Sequence, residues 1–407
     1  MIDRPFPSNR GLYRLPWTLA DNAISWLEPT SFCNLACDGC YRENEKNSHK
    51  SLDEVTRDLD VFEASRNSDC ISIAGGDPLL HPQIVEIVRE IKRRGLKPIL
   101  NTNGLALTKE LLHELKLAGV YGFTFHVDSK QGRAGKWRGK NELELLQLRY
   151  EYARMLADEG GIACSFNSTV YEDTLQYVPE MVRWAHENID IVHTMVFICF
   201  RHVVPQMPFD WFAGGQKVEW QTIHYHSDSE RKIDITSNDL VAKVRERFPE
   251  FTPAAFLNGT EKADAYKWLL TERVGTKKEI YGYLGPKFLE LVMAVHHFVK
   301  GTYLSYASPA TAKMGRATML FLWPFDRKVR KAAARMLKNP FNLFKRAHLQ
   351  TIMFIQPVDF MKDGRMSMCD GCPDITVHNG ELVWSCRLEE LKQFGTFLRS
   401  TEKIDGH

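Results

Sequence analysis

Nine cysteines are the residues most able to do chemistry in this chain, and six of them fall into two tight groups. Cys33-Asn-Leu-Ala-Cys37-Asp-Gly-Cys40 puts three thiols within eight residues. Cys369-Asp-Gly-Cys372 is separated from Cys386 by thirteen residues. In a reducing compartment such groups read as metal ligands rather than disulfides. One short loop can wrap three irons of a [4Fe–4S] cubane and leave the fourth without a protein ligand, as a redox cofactor site requires. A structural zinc site would want four protein ligands instead. Zinc would need His49 or a distant residue at the first group, and His378 or Asp374 at the second. Cys70, Cys164 and Cys199 stand alone in apolar, strand-like runs and read as buried thiols.

The elements that must carry these groups follow from periodicity. From residue 23 to about residue 200, short β-like runs alternate with amphipathic helical stretches. Strands are expected at 23–27, 71–74, 98–101, 122–126, 162–170 and 191–199. Helices are expected at 51–65, 82–91, 109–117, 142–157 and 175–187. Ser51-Leu-Asp-Glu54 is a capping box, and Ile84, Ile87, Val88 and Ile91 share one helical face. Repeated βα units imply parallel strands with right-handed crossovers, hence an α/β fold built on a partial (βα)6 TIM-like barrel. Its chemistry belongs at the carboxyl ends of the strands. After Phe200 the rhythm stops. Residues 205–236 read as loop with short elements and 238–349 as helical, without a convincing alternating strand. The expected division is an N-terminal extension at 1–22, a core barrel at 23–205, an insert or substrate subdomain at 206–349 and a cysteine-rich segment at 350–407.

The first cysteine motif, set directly after the first strand of a βα repeat, resembles the signature of the radical S-adenosylmethionine (radical SAM) superfamily. Asn34, Leu35 and Tyr41 also match many members. Gly75-Gly76-Asp77-Pro78, after the second strand, resembles the family's Gly-Gly-Glu-Pro turn, with Asp77 in place of the commoner Glu. Further matches lie at Asn101-Thr-Asn103-Gly104, His126-Val-Asp128-Ser129 and Asn167-Ser-Thr169-Val170. The resemblance implies that Cys33, Cys37 and Cys40 hold a [4Fe–4S] cluster whose open iron chelates SAM. The glycines would admit the methionine amine, and Asp77 would favour that ammonium. Asn101, Asp128 and Asn167 would reach the ribose and carboxylate. Gly39 stands where the family usually has an aromatic residue near the adenine, and Tyr41 is the side chain nearest in sequence to fill that space. The implied chemistry is reductive SAM cleavage to a 5′-deoxyadenosyl radical, with an electron donor such as flavodoxin or ferredoxin. The substrate is a small molecule or a lipid-like one.

Residues 376–385 read as a β-hairpin turning at Asn379-Gly380, which would fold Cys386 back toward Cys369 and Cys372. This spacing resembles the auxiliary cluster of the molybdenum-cofactor GTP cyclase and of the SPASM-like peptide-modifying group, and implies a second [4Fe–4S] cluster. The terminal Ile404-Asp-Gly-His407 departs from the cyclase's double glycine. A peptide-modifying enzyme is therefore an alternative, and a non-catalytic metal-binding regulator is the alternative from another class.

Residues 326–350 hold eight Lys or Arg against a single acid, Asp326. Val329, Ala332, Ala333, Met336 and Leu337 follow helical spacing, with most of the cations on other faces. The apolar, aromatic run at 319–325 lies beside them. Such a segment suits a membrane surface and an amphipathic substrate; the plainer reading is a helical subdomain with a solvated basic face. The net charge of +2 gives no general case for nucleic acid, and none is expected as a partner. The first twenty residues, broken by Pro5, Pro7 and Pro16, do not read as a signal peptide, and the run 288–299 is too short for a membrane span. The expected location is cytoplasmic, with peripheral membrane contact.

Overall fold

The computed structural model describes residues 11–262, 265–361 and 363–403. The first ten residues of the expected N-terminal extension, with Pro5 and Pro7, and the terminal Ile404-Asp-Gly-His407 lie outside them. The chain begins with β1 (Tyr13–Arg14) and then runs through the expected βα series. That series is β2 (Ile24–Thr30), α1 (Leu52–Ser65), β3 (Cys70–Gly75), α2 (Ile84–Arg93), β4 (Lys97–Thr102), α3 (Lys109–Ala118) and β5 (Gly122–His126), continuing through α4 (Leu146–Glu159), β6 (Ala163–Val170), α5 (Val178–Glu187) and β7 (Thr194–Cys199). Strands β2 to β7 pair in sequence order, every pair parallel. This is the (βα)6 partial barrel. The Ser51 capping box forms, and Ile84, Ile87, Val88 and Ile91 are buried on one face of α2. Periodicity placed the start of α4 four residues early.

The helical reading of 238–349 needs correction. Helices do occur there, at Ser237–Arg245, Pro286–Lys300, Gly315–Leu322 and Arg327–Leu337. Strands Ala255–Leu257, Trp268–Gly275 and Ile280–Tyr283 also form, together with His348–Ile355, and all join the main sheet. His348–Ile355 runs parallel beside β7, Trp268–Gly275 antiparallel beside that strand, and Ala255–Leu257 beyond it pairs with β1. Trp268–Gly275 is covered on both faces, seven of its eight residues being buried. The polar/apolar alternation that marks a half-exposed strand is therefore absent. Arg273, which looks like a solvent residue in sequence, is buried and donates to Gln350 Oε1 at 2.8 Å.

β1 and β2 end the strand order, and the C-terminal cysteine segment sits in the seam between them. Asn22 Nδ2, just ahead of β2, donates to the Gly371 carbonyl at 3.0 Å. A Cβ on Gly371 would lie 2.1 Å from the Trp17 carbonyl oxygen, just after β1, and its φ is +71°. Only glycine tolerates that contact and that backbone. Arg66 donates to the Ile24 and Cys372 carbonyls, and Cys369 bridges to Gly259. The hairpin Ile375–His378/Glu381–Trp384 forms with its turn at Asn379-Gly380, both residues at positive φ.

Candidate functional site

The barrel encloses a cavity of about 800 Å³, and all six clustered cysteines line it. The first three come from the loop after β2. Asn44 braces that loop by accepting from Cys33 N at 2.9 Å and donating to the Cys33 carbonyl at 2.9 Å. Cys40 N donates back to the Cys37 carbonyl at 3.3 Å, so the three thiols are gathered by a tight turn. The Cys33 sulfur accepts from Leu35 N at 3.4 Å and Asn103 Nδ2 at 3.7 Å. Burial pushes the Cys37 thiol well up, and nearby Asp128 and the other two thiols push it further. Burial also raises Cys33 and Cys40. A cationic centre among them would reverse that balance and hold the thiolates. The donor set and its surroundings fit a cubane.

Gly75, Gly76 and Asp77 line the cavity directly beside this loop, whereas Pro78 opens the helical turn Pro78–Leu80 and is not part of the lining. A Cβ on Gly76 would fall 2.2 Å from the Phe32 carbonyl oxygen and 2.4 Å from that of Ser31. The glycine is thus what lets the turn and the cysteine loop touch. Asp77 is fully buried and accepts from the Thr102 hydroxyl, from Asn103 N at 2.9 Å and from Leu79 N at 3.0 Å. It fastens the ends of β3 and β4 together. Asn101, Asp128 and Asn167 line the same cavity. Asp128 Oδ2 meets His126 Nε2 at 2.9 Å, and His126 also reaches the Thr169 hydroxyl at 3.1 Å. Burial works against the Asp128 charge, but His126 and backbone donors hold its carboxyl below the usual range.

Several residues that the structure places around the cysteine loop were not singled out by sequence reasoning. Asn103, not Asn101, reaches the cysteine loop, donating to Asn34 Oδ1 at 2.7 Å as well as to the Cys33 sulfur. Its place in the Asn-Thr-Asn-Gly run was the available signal. Beside Gly39 stand Tyr171 and Phe200, each within about 3 Å of where a Cβ would be. Phe200 supplies the aromatic ring that lines the cavity at this spot, whereas Tyr171 is buried behind it and donates its hydroxyl to the Asp38 carbonyl. Tyr41 also lines the cavity, among Arg42, Glu28 and Ser385. Arg42 is buried and donates to Glu28 Oε1 at 2.7 Å, Glu389 Oε1 at 2.7 Å and the Ser385 carbonyl at 2.9 Å. It therefore links the first cysteine loop to the residue preceding Cys386. No local pattern announces such a contact.

At the second group, Cys372 interacts with Cys369, and burial together with Cys369 pushes Cys386 well up. Asp374 lines the cavity with these thiols, and burial raises its carboxyl to about 7. His378 is not in the lining and faces Asn379 Nδ2 at 3.2 Å. Among the described residues, no three His, Cys, Asp or Glu side chains converge on one ion. Cys70, Cys164 and Cys199 are buried within β3, β6 and β7.

The far wall of the cavity comes from the strands that periodicity missed. Trp268, Leu270 and Glu272 alternate inward from one strand, and Leu349, Met353 and Ile355 from its neighbour. Phe288, Leu289 and Met293 of the helix Pro286–Lys300 complete it. Glu272 is the acid in this apolar wall. It accepts from the Thr351 hydroxyl at 2.7 Å, and burial raises its carboxyl to about 7.

Residues 27–185 match the Radical SAM superfamily. A tungsten-containing aldehyde ferredoxin oxidoreductase cofactor-modifying protein of Pyrococcus furiosus is 36% identical over 106 residues, covering 25% of this chain and 30% of the relative. An AdoMet-dependent heme synthase of Oleidesulfovibrio alaskensis is 26% identical over 201 residues, covering 47% of this chain and 50% of the relative. The chain thus spans half or less of these relatives' lengths. Among solved structures, Streptococcus suis SuiB aligns over 56% of this chain and 46% of its own, with a TM-score of 0.40 and 15% identity.

Proposed function

We propose, from the premise that residues 27–185 are a radical SAM domain, that the protein acts on an apolar or amphipathic, lipid-like substrate held inside its barrel. A second [4Fe–4S] cluster at Cys369, Cys372 and Cys386 completes the site. One observation carries this reading: both cysteine trios open into the same cavity, whose opposite wall is apolar. Cys33, Cys37 and Cys40 would hold the cluster, which with SAM would supply radical hydrogen abstraction from the substrate, using an electron from a donor such as a flavodoxin or ferredoxin.

The chain's own residues do the positioning. Asn103 donates to the Cys33 sulfur and so tunes the ligand's charge. Gly75 and Gly76 keep the backbone open beside the loop, the place for the methionine amine of SAM. Asp77 spends its oxygens on Thr102, Asn103 and Leu79, so it holds that end of the barrel rigid. Asn101, Asp128 and Asn167 present polar groups for the ribose and carboxylate, and Phe200 an aromatic surface for the adenine. The strands bearing Leu270, Leu349 and Met353 exclude water from the reacting carbon. A peptide substrate, which the second cysteine motif also allows, would leave backbone polar groups unpaired against this wall.

Anaerobic iron, sulfide and zinc analysis tests the metal assignment. About eight irons are expected, falling to about four in Cys369→Ala/Cys372→Ala/Cys386→Ala; loss of zinc instead would remove the second cluster. Cys33→Ala should abolish 5′-deoxyadenosine formation. Full formation in that variant would overturn the reading.

A further inference from the structure

We infer that the surface formed by residues 321–346 docks on an anionic lipid bilayer and sets the apolar end of the barrel cavity against it, an inference that rests on the apolar-substrate reading above. The segment is a fixed part of the fold. Helices Gly315–Leu322 and Arg327–Leu337 bury Met319, Val329, Ala332, Ala333 and Met336 in one core with Phe288 and Met293. Asp326 caps the second helix through Lys328 N at 2.7 Å and Val329 N at 3.0 Å, and also accepts from Phe288 N at 3.1 Å. The segment therefore cannot turn its outer side inward without breaking that joint.

That outer side is aromatic. Phe321, Phe325, Phe341 and Phe344 are 76%, 63%, 74% and 86% exposed, and Trp323 is 51% exposed. Leu337, which its spacing placed on the inner face, is exposed as well. So many large apolar side chains in one short segment is unusual for a surface that faces only water. Interleaved with them are Arg327, Arg330, Lys331, Lys338, Lys345 and Arg346, all exposed and none in an ion pair with a described residue. Arg335, by contrast, is paired with Glu250. Aromatic side chains that enter the headgroup region, surrounded by unpaired cations, complement an anionic bilayer. Self-association through this face would set the same cations against one another.

The cavity reaches this surface from inside. Thr318 and Leu322 line it together with Val292 and Met293, and Phe321 and Trp323 flank Leu322 on the exposed side. Among the described residues no helix is long and apolar enough to cross a membrane, so the contact would be peripheral. A bilayer seated here would lie against the end of the cavity remote from the first cysteine trio, where an acyl or isoprenoid chain could enter.

Vesicle co-sedimentation tests this with the full chain. The wild type should bind phosphatidylcholine vesicles containing about one-third phosphatidylglycerol and bind pure phosphatidylcholine weakly. Arg330→Gln/Lys331→Gln/Lys338→Gln should bind the anionic vesicles about 100-fold more weakly, with little change on the neutral ones. Phe321→Ser/Phe325→Ser/Phe344→Ser should weaken binding to both. Failure of the wild type to bind, unchanged binding in both variants, or an oligomer built through this face in place of vesicle binding would each overturn the inference. Substrate-independent formation of 5′-deoxyadenosine is measured in parallel and should be the same in both variants. Its persistence without vesicle binding would refute the docking surface and leave the radical chemistry standing.

Discussion

Arg42 offers the sharpest test of how the two cysteine segments are joined. Its guanidinium is 2% exposed and lies 2.7 Å from carboxylates of Glu28 and Glu389, themselves 7% and 3% exposed. It also donates to the Ser385 carbonyl, next to Cys386. Burial opposes the Glu389 charge, and Arg42 and Lys392 hold its carboxyl below the usual range. Arg42→Met keeps most of the side chain's volume and leaves two carboxylates in a site with almost no solvent. Removing one partner from a buried ion network costs about 3–5 kcal/mol, because Glu28 is left desolvated without a cation while Lys392 still faces Glu389. Anaerobic urea unfolding should show that loss, and iron should fall at both cysteine groups because both are attached to this network. The companion variant Arg42→Met/Glu28→Gln/Glu389→Gln removes the orphaned charges but keeps an acceptor for Ser385 Oγ and Trp26 Nε1, which now donate to Glu28. It should recover to within about 1 kcal/mol of the wild type. A cost below about 1 kcal/mol for Arg42→Met, or a triple variant as unstable as the single one, would refute the argument.

Two further outcomes are expected. Gly76→Ala sets a Cβ against the Phe32 and Ser31 carbonyls, and neither backbone group can yield without moving the loop that carries Cys33. Iron at the first group should drop, and stability should fall by about 2 kcal/mol or more; an alanine variant with full iron content would contradict the close approach. Glu272 titrates near 7 in the folded state against an ordinary 4.5. A carboxyl with a raised folded pKa binds its proton more tightly in the native protein. Its contribution is therefore most favourable at low pH and is lost as pH rises from about 4.5 through about 7. Glu272→Gln should match the wild type at about pH 4 and exceed it by up to about 3 kcal/mol above pH 8. Equal stability of the two at both pH values in anaerobic denaturation would show that burial does not disfavour this carboxylate.

What the sequence determined by itself is whatever depends on near neighbours. Three cysteines within eight residues can only form one loop. Ser51 and Glu54 close a capping box across one helical turn, and Asn379-Gly380 closes a two-residue hairpin. Regular alternation of strand and helix fixed the order of β2 to β7, because each parallel pair is joined through the helix between its strands. The exposed aromatic and basic run at 321–346 was legible for the same reason: it is contiguous. Tertiary structure decided what depends on residues far apart in the chain. Trp268–Gly275 is a strand because neighbouring strands pair with both of its edges, and burial of both its faces erased the alternation by which a strand is read. Phe200 came to stand beside Gly39, and Arg42 to join Glu28 and Glu389, through packing across 161, 14 and 347 positions of sequence. The seam between β1 and β2 brought Cys369, Cys372 and Cys386 to the same cavity as Cys33, Cys37 and Cys40. Ligand types are written in the local sequence, whereas their convergence follows from which faces the chain can bury together.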